Sequence, residues 1–298
     1  MNHQLSFITQ SSNDDKTENR PPESITWNLW HGCTRVSSGC ANCYMFARDL
    51  IYGRNPRDVH KTGSFNLPVR KLRSGQHKGL YKIPVGSQIY TCFTSDFFHP
   101  AADTHPDSED KGWREEAWEM MRERSDCTFF MLTKRPERIA AVLPPSFSLD
   151  GKTQSPEWQH ITIAVTCEDQ RAINRRLPVY LSLPLNNHTV AIEPMLGPVN
   201  LRPFFSRYTS TDATRQVHPL LKKVVVGGES GPNARICDFS WVLDLQLQCV
   251  EAGVAFEYHQ TGARLRKGGR VYNIPRELQV AQAKKAGLDF DGERMVGW

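Results

Sequence analysis

The stretch His160-Ile-Thr-Ile-Ala-Val-Thr-Cys-Glu-Asp169 decides the fold class, because it joins a buried strand to the start of a helix. Its first part, His160–Val165, is a run of mostly apolar and β-branched residues, which is typical of a strand buried on both faces of a parallel sheet. The helix candidate Asp169–Leu177 follows directly. A strand, a polar end and a helix in this order predict one unit of a parallel α/β sheet.

The same order recurs along the chain. Further apolar runs are Ile25–Leu29, Gln88–Phe93, Cys127–Leu132, Thr189–Ile192, Lys223–Val226 and Val254–Tyr258. Further helix candidates are Ala41–Tyr52, Glu109–Arg124, Pro136–Val142 and Ser240–Ala252, the last with Ser240 as N-cap and Gly253 at its C-terminal end. Strands that alternate with helices predict an α/β fold, namely a parallel (β/α) barrel or partial barrel of the TIM type. An open doubly wound sheet is the alternative.

Composition limits the classes of protein to which the chain can belong. Of its 298 residues, 39% are hydrophobic, and the formal net charge is +5. No apolar run approaches the roughly 20 residues that span a bilayer, and the polar start lacks the apolar segment of a secretory signal. Eight cysteines are too few for a disulfide scaffold in so long a chain. We therefore expect a cytoplasmic protein with no membrane partner.

The chain divides into three predicted segments. Residues 1–23 are polar and have little to bury, which predicts a disordered tail. Residues 24–262 hold all the apolar runs and form the predicted barrel domain. Residues 263–298 are predicted to form a basic loop and a helix.

Polar, ionisable or glycine residues follow almost every apolar run. They are Thr94-Ser95-Asp96, Thr133-Lys134-Arg135, Thr166-Cys167-Glu168-Asp169, Glu193-Pro194, Gly227-Gly228-Glu229-Ser230 and His259-Gln260. The C-terminal ends of barrel strands face one mouth, where active sites lie. This pattern predicts a functional site at that mouth, although a strand that simply ends in polar residues would look the same.

Three cysteines follow the first strand, in Cys33-Thr-Arg-Val-Ser-Ser-Gly-Cys40-Ala-Asn-Cys43-Tyr44. The C-x2-C pair places two thiolates within one turn, and Cys33 can fold back over a flexible loop. Thiolates are ligands of both zinc and iron–sulfur clusters. Three of them would leave one iron of a [4Fe–4S] cluster open, whereas His31 as a fourth ligand would make a Cys3His zinc site. The sequence leaves both alternatives open.

The stretch from Ile25-Thr-Trp-Asn-Leu-Trp-His-Gly-Cys33 to Gly39-Cys-Ala-Asn-Cys-Tyr44 resembles the phage-type three-cysteine-motif family of phages and bacteria. Further matching segments are Ser95–Phe98, Leu132–Arg138, Glu193–Val199, Val226–Gly231 and Gln248–Gly253. That family resembles radical S-adenosylmethionine (SAM) enzymes, with the cysteine spacing C-x6-C-x2-C in place of the usual C-x3-C-x2-C. Many relatives end the last strand in Lys-Gln-Trp-Gly, where this chain has His259-Gln-Thr-Gly262.

The resemblance implies a cofactor set and its ligands. Cys33, Cys40 and Cys43 would hold a [4Fe–4S] cluster, and SAM would bind its open iron. Tyr44 would lie near the SAM adenine, and Asp96 would accept from the SAM ammonium group.

The remaining strand-end residues are candidates for SAM or the substrate. Glu193 and Glu229 are candidates for the ribose hydroxyls or for the substrate. The glycine-rich turn that contains Ser230 could bind a phosphate or the SAM carboxylate through its backbone amides, and a tight strand-to-helix turn is the alternative. His259 and Lys134 are the other catalytic candidates, with a buried structural histidine and a surface lysine as their alternatives.

Two basic segments suggest an anionic partner. Residues 54–82 contain eight Lys or Arg and one acid, Asp58, and the second group is Arg264, Arg266, Lys267 and Arg270. Aromatic residues lie among the cations of both segments, so that bases could stack on them. A nucleic acid or nucleotide substrate is the functional interpretation, and a solvated surface is the alternative.

Three functions therefore compete. The first is an iron–sulfur, radical-SAM-like enzyme. The second is a zinc-containing barrel enzyme that uses Glu193, Glu229 and His259 in acid–base chemistry. The third is a zinc-stabilised protein that binds nucleic acid without catalysis. A partner protein is compatible with each of them.

Overall fold

The computed structural model describes residues 20–103, 112–205 and 221–292. The strands are β1 (Ser24–Trp27), β2 (Trp30–His31), β3 (His60–Lys61), β4 (Gln88–Thr91), β5 (Thr128–Thr133), β6 (Ile161–Thr166), β7 (Thr189–Ile192), β8 (Lys223–Gly227), β9 (Cys237–Asp238), β10 (Ala255–Gln260), β11 (Arg264–Lys267) and β12 (Arg270–Asn273). The α-helices are α1 (Tyr44–Ile51), α2 (Trp113–Glu123), α3 (Ile139–Val142), α4 (Gln170–Leu181), α5 (Phe239–Ala252) and α6 (Arg276–Lys285). Short 3-10 helices cover Ser38–Cys40, Pro100–Ala102, Pro136–Arg138, Pro145–Phe147, Pro156–Trp158 and Arg202–Phe204.

The main sheet is parallel throughout and curls into a half-barrel. Its strand order is β1-β4-β5-β6-β7-β8-β10, which is also their order along the chain. A doubly wound sheet reverses direction at a switch point, and this order contains no reversal. The prediction of an α/β partial barrel is confirmed, because all seven apolar runs form its strands.

Packing corrects several helix ends. The predicted N-cap Ser240 is wrong, because Asp238 caps α5 and its Oδ1 accepts from the amide of Ser240 at 3.0 Å. Gly253 ends the same helix in the left-handed conformation, as predicted, with φ of 65°. Helix α4 continues past Leu177 and through Pro178. The buried Tyr180 hydroxyl donates to the carbonyl of Ile163 at 2.7 Å, and this anchoring favours the longer helix.

The C-terminal segment is more ordered than a basic loop. Strands β11 and β12 pair antiparallel, and β11 also pairs with β9. Phe290 exchanges two backbone hydrogen bonds with Phe256, at 2.8 and 2.9 Å, and so covers part of the free edge of β10. No helix in the described ranges has the length and apolar composition to cross a bilayer.

The predicted disordered tail lies mostly outside the described residues, which begin at Arg20. Its last part contacts the barrel. The Arg20 guanidinium donates to the carbonyls of Tyr81 and Lys82, and the amide of Glu23 donates to the Ser87 hydroxyl at 3.0 Å. The segment therefore joins the barrel a few residues earlier than the composition indicated.

Aromatic side chains connect the core to the mouth of the half-barrel. Trp30 is fully buried beside Phe97 and Trp113, with ring centroids 5.4 and 6.4 Å away. Its indole nitrogen donates to the carbonyl of Asp96 at 3.2 Å. The segment that follows β4 is thereby fixed against the core.

Candidate functional site

The three cysteines lie on a loop, residues 33–43, that crosses the C-terminal ends of the strands; we call it the cysteine loop. Cys33, Cys40 and Cys43 are free and half-buried. The amide of Cys33 donates to the carbonyl of Pro56 at 2.9 Å, and Cys43 is the N-cap residue of α1. The loop therefore begins and ends on fixed backbone.

Asp96, after β4, anchors the start of this loop. Its carboxylate accepts from the Thr133 hydroxyl at 2.8 Å and from the Arg135 guanidinium at 3.2 Å. Arg135 in turn donates to the Thr34 hydroxyl at 2.7 Å. Because Thr34 follows Cys33, the Asp96–Arg135 pair fixes the backbone beside the first cysteine.

Glu168, after β6, anchors the middle of the loop. Its carboxylate accepts from the amide of Gly39 at 3.3 Å and from Arg176 at 2.8 Å. Burial opposes ionisation, but the nearby Ser37 hydroxyl and the charge and hydrogen bond of Arg176 outweigh it and lower the pKa of Glu168 to about 2. A Cβ atom at Gly39 would lie 3.0 Å from the Glu168 carboxyl carbon, so the small residue permits this approach.

Glu229, after β8, anchors the end of the loop. Its carboxylate accepts from the Asn42 side chain at 3.0 Å and from two nitrogens of the Arg235 guanidinium at 2.6 and 2.9 Å. Arg235 also donates to the carbonyl of Ser38 at 3.1 Å. Burial opposes ionisation here too, but the bonds from Arg235 lower the pKa of Glu229.

The three anchors, Asp96, Glu168 and Glu229, therefore come from alternate strands. Strands β5, β7 and β10 lie between or beside them in the sheet. Their ends carry Lys134, Glu193 and His259, which we call the mouth groups. In (β/α) barrels, alternate strands supply alternate layers of side chains, which explains why strand ends at the same mouth have two different tasks.

Lys134 is the mouth group whose positive charge is not paired with a carboxylate of the described residues. It is half-buried, and among the described residues its ammonium has no carboxylate partner. Burial raises the pKa of the neighbouring Cys167 thiol to about 12, against the smaller opposing effects of Arg176 and Lys134. Lys134 therefore offers a cation for an anionic ligand.

Glu193 and His259 form a pair across the mouth. His259 Nδ1 lies 2.9 Å from Glu193 Oε2, and this hydrogen bond raises the pKa of His259, with burial opposing it. A β-bulge places both His259 and Gln260 opposite Gly227, and Gln260 also donates to Glu193. A Cβ atom at Gly227 would lie 2.5 Å from the Glu193 carboxyl carbon, so a side chain there would displace the Glu193 carboxylate from its present position.

The remaining predicted cofactor residues lie around the same mouth. Tyr44 is 56% exposed and donates to the carbonyl of Phe93; burial of its hydroxyl, with a smaller effect of Cys43, raises its pKa to about 12. Ser230 lies between the side-chain oxygens of Gln260 and Gln279, at 3.0 and 2.7 Å. The predicted roles of Tyr44, Ser230, Asp96 and Glu229 toward SAM stay predictions.

The donor set of the predicted metal site is the three free thiols of the cysteine loop. Within the described ranges, no three His, Cys, Asp or Glu side chains are arranged as ligands of one metal ion. The predicted fourth zinc ligand, His31, instead contacts Asp49 at 2.7 Å. A [4Fe–4S] cluster attaches each thiolate to a different iron. Burial, and next Asp96, raise the pKa of Cys33 to about 11, so a bound metal would have to displace its proton.

Sequence reasoning missed several residues of this site. Glu168 was visible as a strand-end carboxylate, but it received no role. Arg135 and Gln260 were visible among the polar residues at strand ends, but they received no role in the site. Asn42 carries no local signal, because its partner Glu229 is 187 residues away in the chain. Arg235 lies only six residues after Glu229, but no pattern marks the two as partners.

Comparison with known proteins gives a family. The sequence profile of DUF5131, described as a protein of unknown function, matches residues 23–297. No curated protein and no solved structure shows a significant match.

Proposed function

We propose that this chain, which belongs to the DUF5131 family, is an iron–sulfur, radical-SAM-like enzyme. The observation that carries the proposal is the cysteine loop, which contains three free thiols and is fixed at the barrel mouth by three strand-end carboxylates. A buried charge is costly unless it is paired, and here three buried carboxylates, each paired with an arginine, fix one loop. When bound, a [4Fe–4S] cluster with one open iron supplies, together with SAM, one-electron chemistry that starts a radical reaction.

In this proposal the chain's own residues have separate tasks. Cys33, Cys40 and Cys43 hold the cluster. Lys134 binds an anionic group of SAM or the substrate, because its ammonium is half-buried and has no carboxylate partner among the described residues. Glu193 orients His259, which can hold a proton at its ring nitrogen near neutral pH.

The setting fits a reducing compartment. All eight cysteines are free, and the five that do not belong to the loop are buried. Free thiols persist where glutathione and thioredoxin keep them reduced, so we place the enzyme in the cytoplasm. A link to phages remains part of the proposal.

Metal analysis after anaerobic reconstitution tests the proposal. We expect about four iron and four sulfide atoms per chain, lost in Cys40→Ala. The matched control is Cys249→Ala, which changes a buried cysteine on α5. It should keep the iron. Reconstituted protein should then bind and cleave SAM.

One observation favours a second candidate. The Glu193–His259 pair, 2.9 Å apart at the mouth, could carry out acid–base chemistry in a barrel whose cysteines hold zinc. About one zinc and no iron per chain would support the zinc-containing acid–base enzyme and contradict the radical-SAM-like enzyme. Absence of both metals would overturn both interpretations of the cysteines.

A further inference from the structure

The β11–β12 hairpin is strongly basic. Between Ala263 and Arg276 the sequence has five cations and no Asp or Glu; the cations are Arg264, Arg266, Lys267, Arg270 and Arg276. All five are exposed. Arg266 lies 3.6 Å from an Asp238 oxygen, and the Lys267 ammonium lies over the Phe239 ring at 4.5 Å. In the described part of the chain, the other three have no carboxylate partner.

The hairpin presents its charge on both faces. The register pairs Arg264 with Asn273 and Arg266 with Val271, so these residues share one face. Lys267 and Arg270 lie on the other. All four residues of β12 are exposed, including Val271 at 43% and Tyr272 at 47%. The result is a basic ribbon with an exposed aromatic ring on its outer strand.

The base of this ribbon lies at the mouth. The amide of Ala263, which precedes β11, donates to the carbonyl of the anchor Glu229 at 2.8 Å. Gly262 crosses so close to Gly228 that a Cβ atom would lie 2.6 Å from the Gly228 carbonyl carbon. A ligand that follows the ribbon toward its base therefore arrives beside the mouth groups.

We propose that the β11–β12 hairpin binds single-stranded nucleic acid and guides it to the mouth of the half-barrel. Phosphates contact Arg264 and Arg270, and a base stacks on Tyr272. Phosphates of a single strand can bind these exposed cations. The exposed ring of Tyr272 lies on the same face as Arg270 and is a platform on which a base can stack. A base must be unpaired before its atoms can enter an active site. That the nucleic acid is the substrate rests on the proposed function, whereas the binding of nucleic acid by the hairpin does not.

Salt dependence of binding tests the phosphate contacts. The full chain is titrated against a labelled single-stranded oligonucleotide of mixed sequence, in DNA and RNA forms, at several salt concentrations. Loss of two phosphate contacts in Arg264→Gln/Arg270→Gln should reduce the slope of log K against log salt by about 1.4, at about 0.7 for each contact. The control Arg171→Gln/Arg175→Gln removes two exposed cations from α4 and should leave the slope unchanged. Equal slopes for both double variants would overturn the proposal.

A second variant tests the stacking contact. Tyr272→Ala should weaken single-strand binding roughly tenfold, and Tyr272→Phe should retain it. A duplex of the same sequence should bind more weakly and should not respond to Tyr272→Ala. Tighter binding to the duplex, or to polyglutamate, would overturn the assignment to single strands.

The same titration separates this inference from the proposed function. Cys40→Ala should bind the oligonucleotide as the wild type does, because the cysteine loop does not contribute to the ribbon. If the wild type binds the oligonucleotide but takes up no iron, the proposed role of the hairpin is supported and the proposed radical enzyme is contradicted. If it takes up iron but does not bind the oligonucleotide, the role of the hairpin is contradicted and the proposed function is not.

Discussion

The anchors and the mouth groups occupy equivalent positions at the ends of neighbouring strands, yet they do different work. Asp96, Glu168 and Glu229 are buried, with 6%, 1% and 7% of their surface exposed, and each is bonded to an arginine. Lys134, Glu193 and His259 are more exposed. Exposure and internal bonding therefore separate the residues that hold the cysteine loop from those that can reach a ligand.

The comparison also explains why ionisable residues are so frequent at this mouth. A carboxylate that holds a loop needs its own cation, and the chain supplies Arg135, Arg176 and Arg235 for the three anchors. Lys134 has no such carboxylate partner within the described ranges. An unneutralised cation beside neutralised pairs supports the proposal that Lys134 binds an anionic ligand.

We expect the largest loss of stability from Glu168→Gln. Glu168 and Arg176 are each 1% exposed, so the variant leaves a buried cation without its counter-ion and should reduce the free energy of unfolding by about 3–5 kcal/mol. Urea denaturation measures it. The control Glu251→Gln breaks an ion pair with Arg202 whose side chains are about half exposed, and should cost at most about 1 kcal/mol. Equal losses would mean that Glu168 is not an anchor.

Low pH should remove the stabilisation that the Glu168 anchor provides. Because the pKa of Glu168 is about 2 in the folded chain and about 4.5 in its ordinary range, its ionised form stabilises the fold. The stabilisation is complete above the ordinary pKa and is lost as the pH falls toward 2. The difference in unfolding free energy between wild type and Glu168→Gln should therefore shrink between pH 5 and pH 2. A difference that does not change over this range would contradict the assigned pKa.

The local sequence pattern was sufficient to predict the strands, but it was not sufficient to predict the contacts of the anchors. Runs such as Thr189–Ile192 became strands at the predicted residues, because burial on both faces selects unbroken apolar runs. The partners of the anchors in the cysteine loop are far away in sequence: Gly39 is 129 residues from Glu168, and Asn42 is 187 residues from Glu229. No local pattern shows which strand-end carboxylate will meet them.

The hairpin was missed for a different reason. Its strands are basic and exposed, so they lack the apolar alternation by which strands are recognised. The turn did carry a signal. Gly268-Gly269 adopts φ values of 57° and 76°, as a two-residue hairpin turn requires, and the Gly-Gly pair could have predicted it.

A paired substitution contrasts an arginine that serves an anchor with a mouth group. Arg135→Ala removes charge-assisted bonds to Asp96 and Thr34 and should cost about 1.5–3 kcal/mol of unfolding free energy. Lys134→Ala, one residue earlier, should change it by about 0.5 kcal/mol or less. SAM affinity, measured calorimetrically on reconstituted protein, should nevertheless fall in Lys134→Ala. A destabilised Lys134→Ala with unchanged affinity would place Lys134 among the structural residues.

The smallest expected effect concerns the Glu193–His259 pair. Glu193 favours protonated His259, so the pair stabilises the fold below the ordinary histidine pKa of 6.5 and loses this contribution as the pH rises through the raised value. In Glu193→Gln the pKa of His259 should fall, as an NMR titration of the ring protons would show. The control Glu251→Gln lies on α5 and should not move it. Because Gln260 also contacts Glu193, Gln260→Ala should lower the pKa of His259 less than Glu193→Gln does. An equal fall would mean that the position of the carboxylate, rather than its charge alone, sets the protonation of His259.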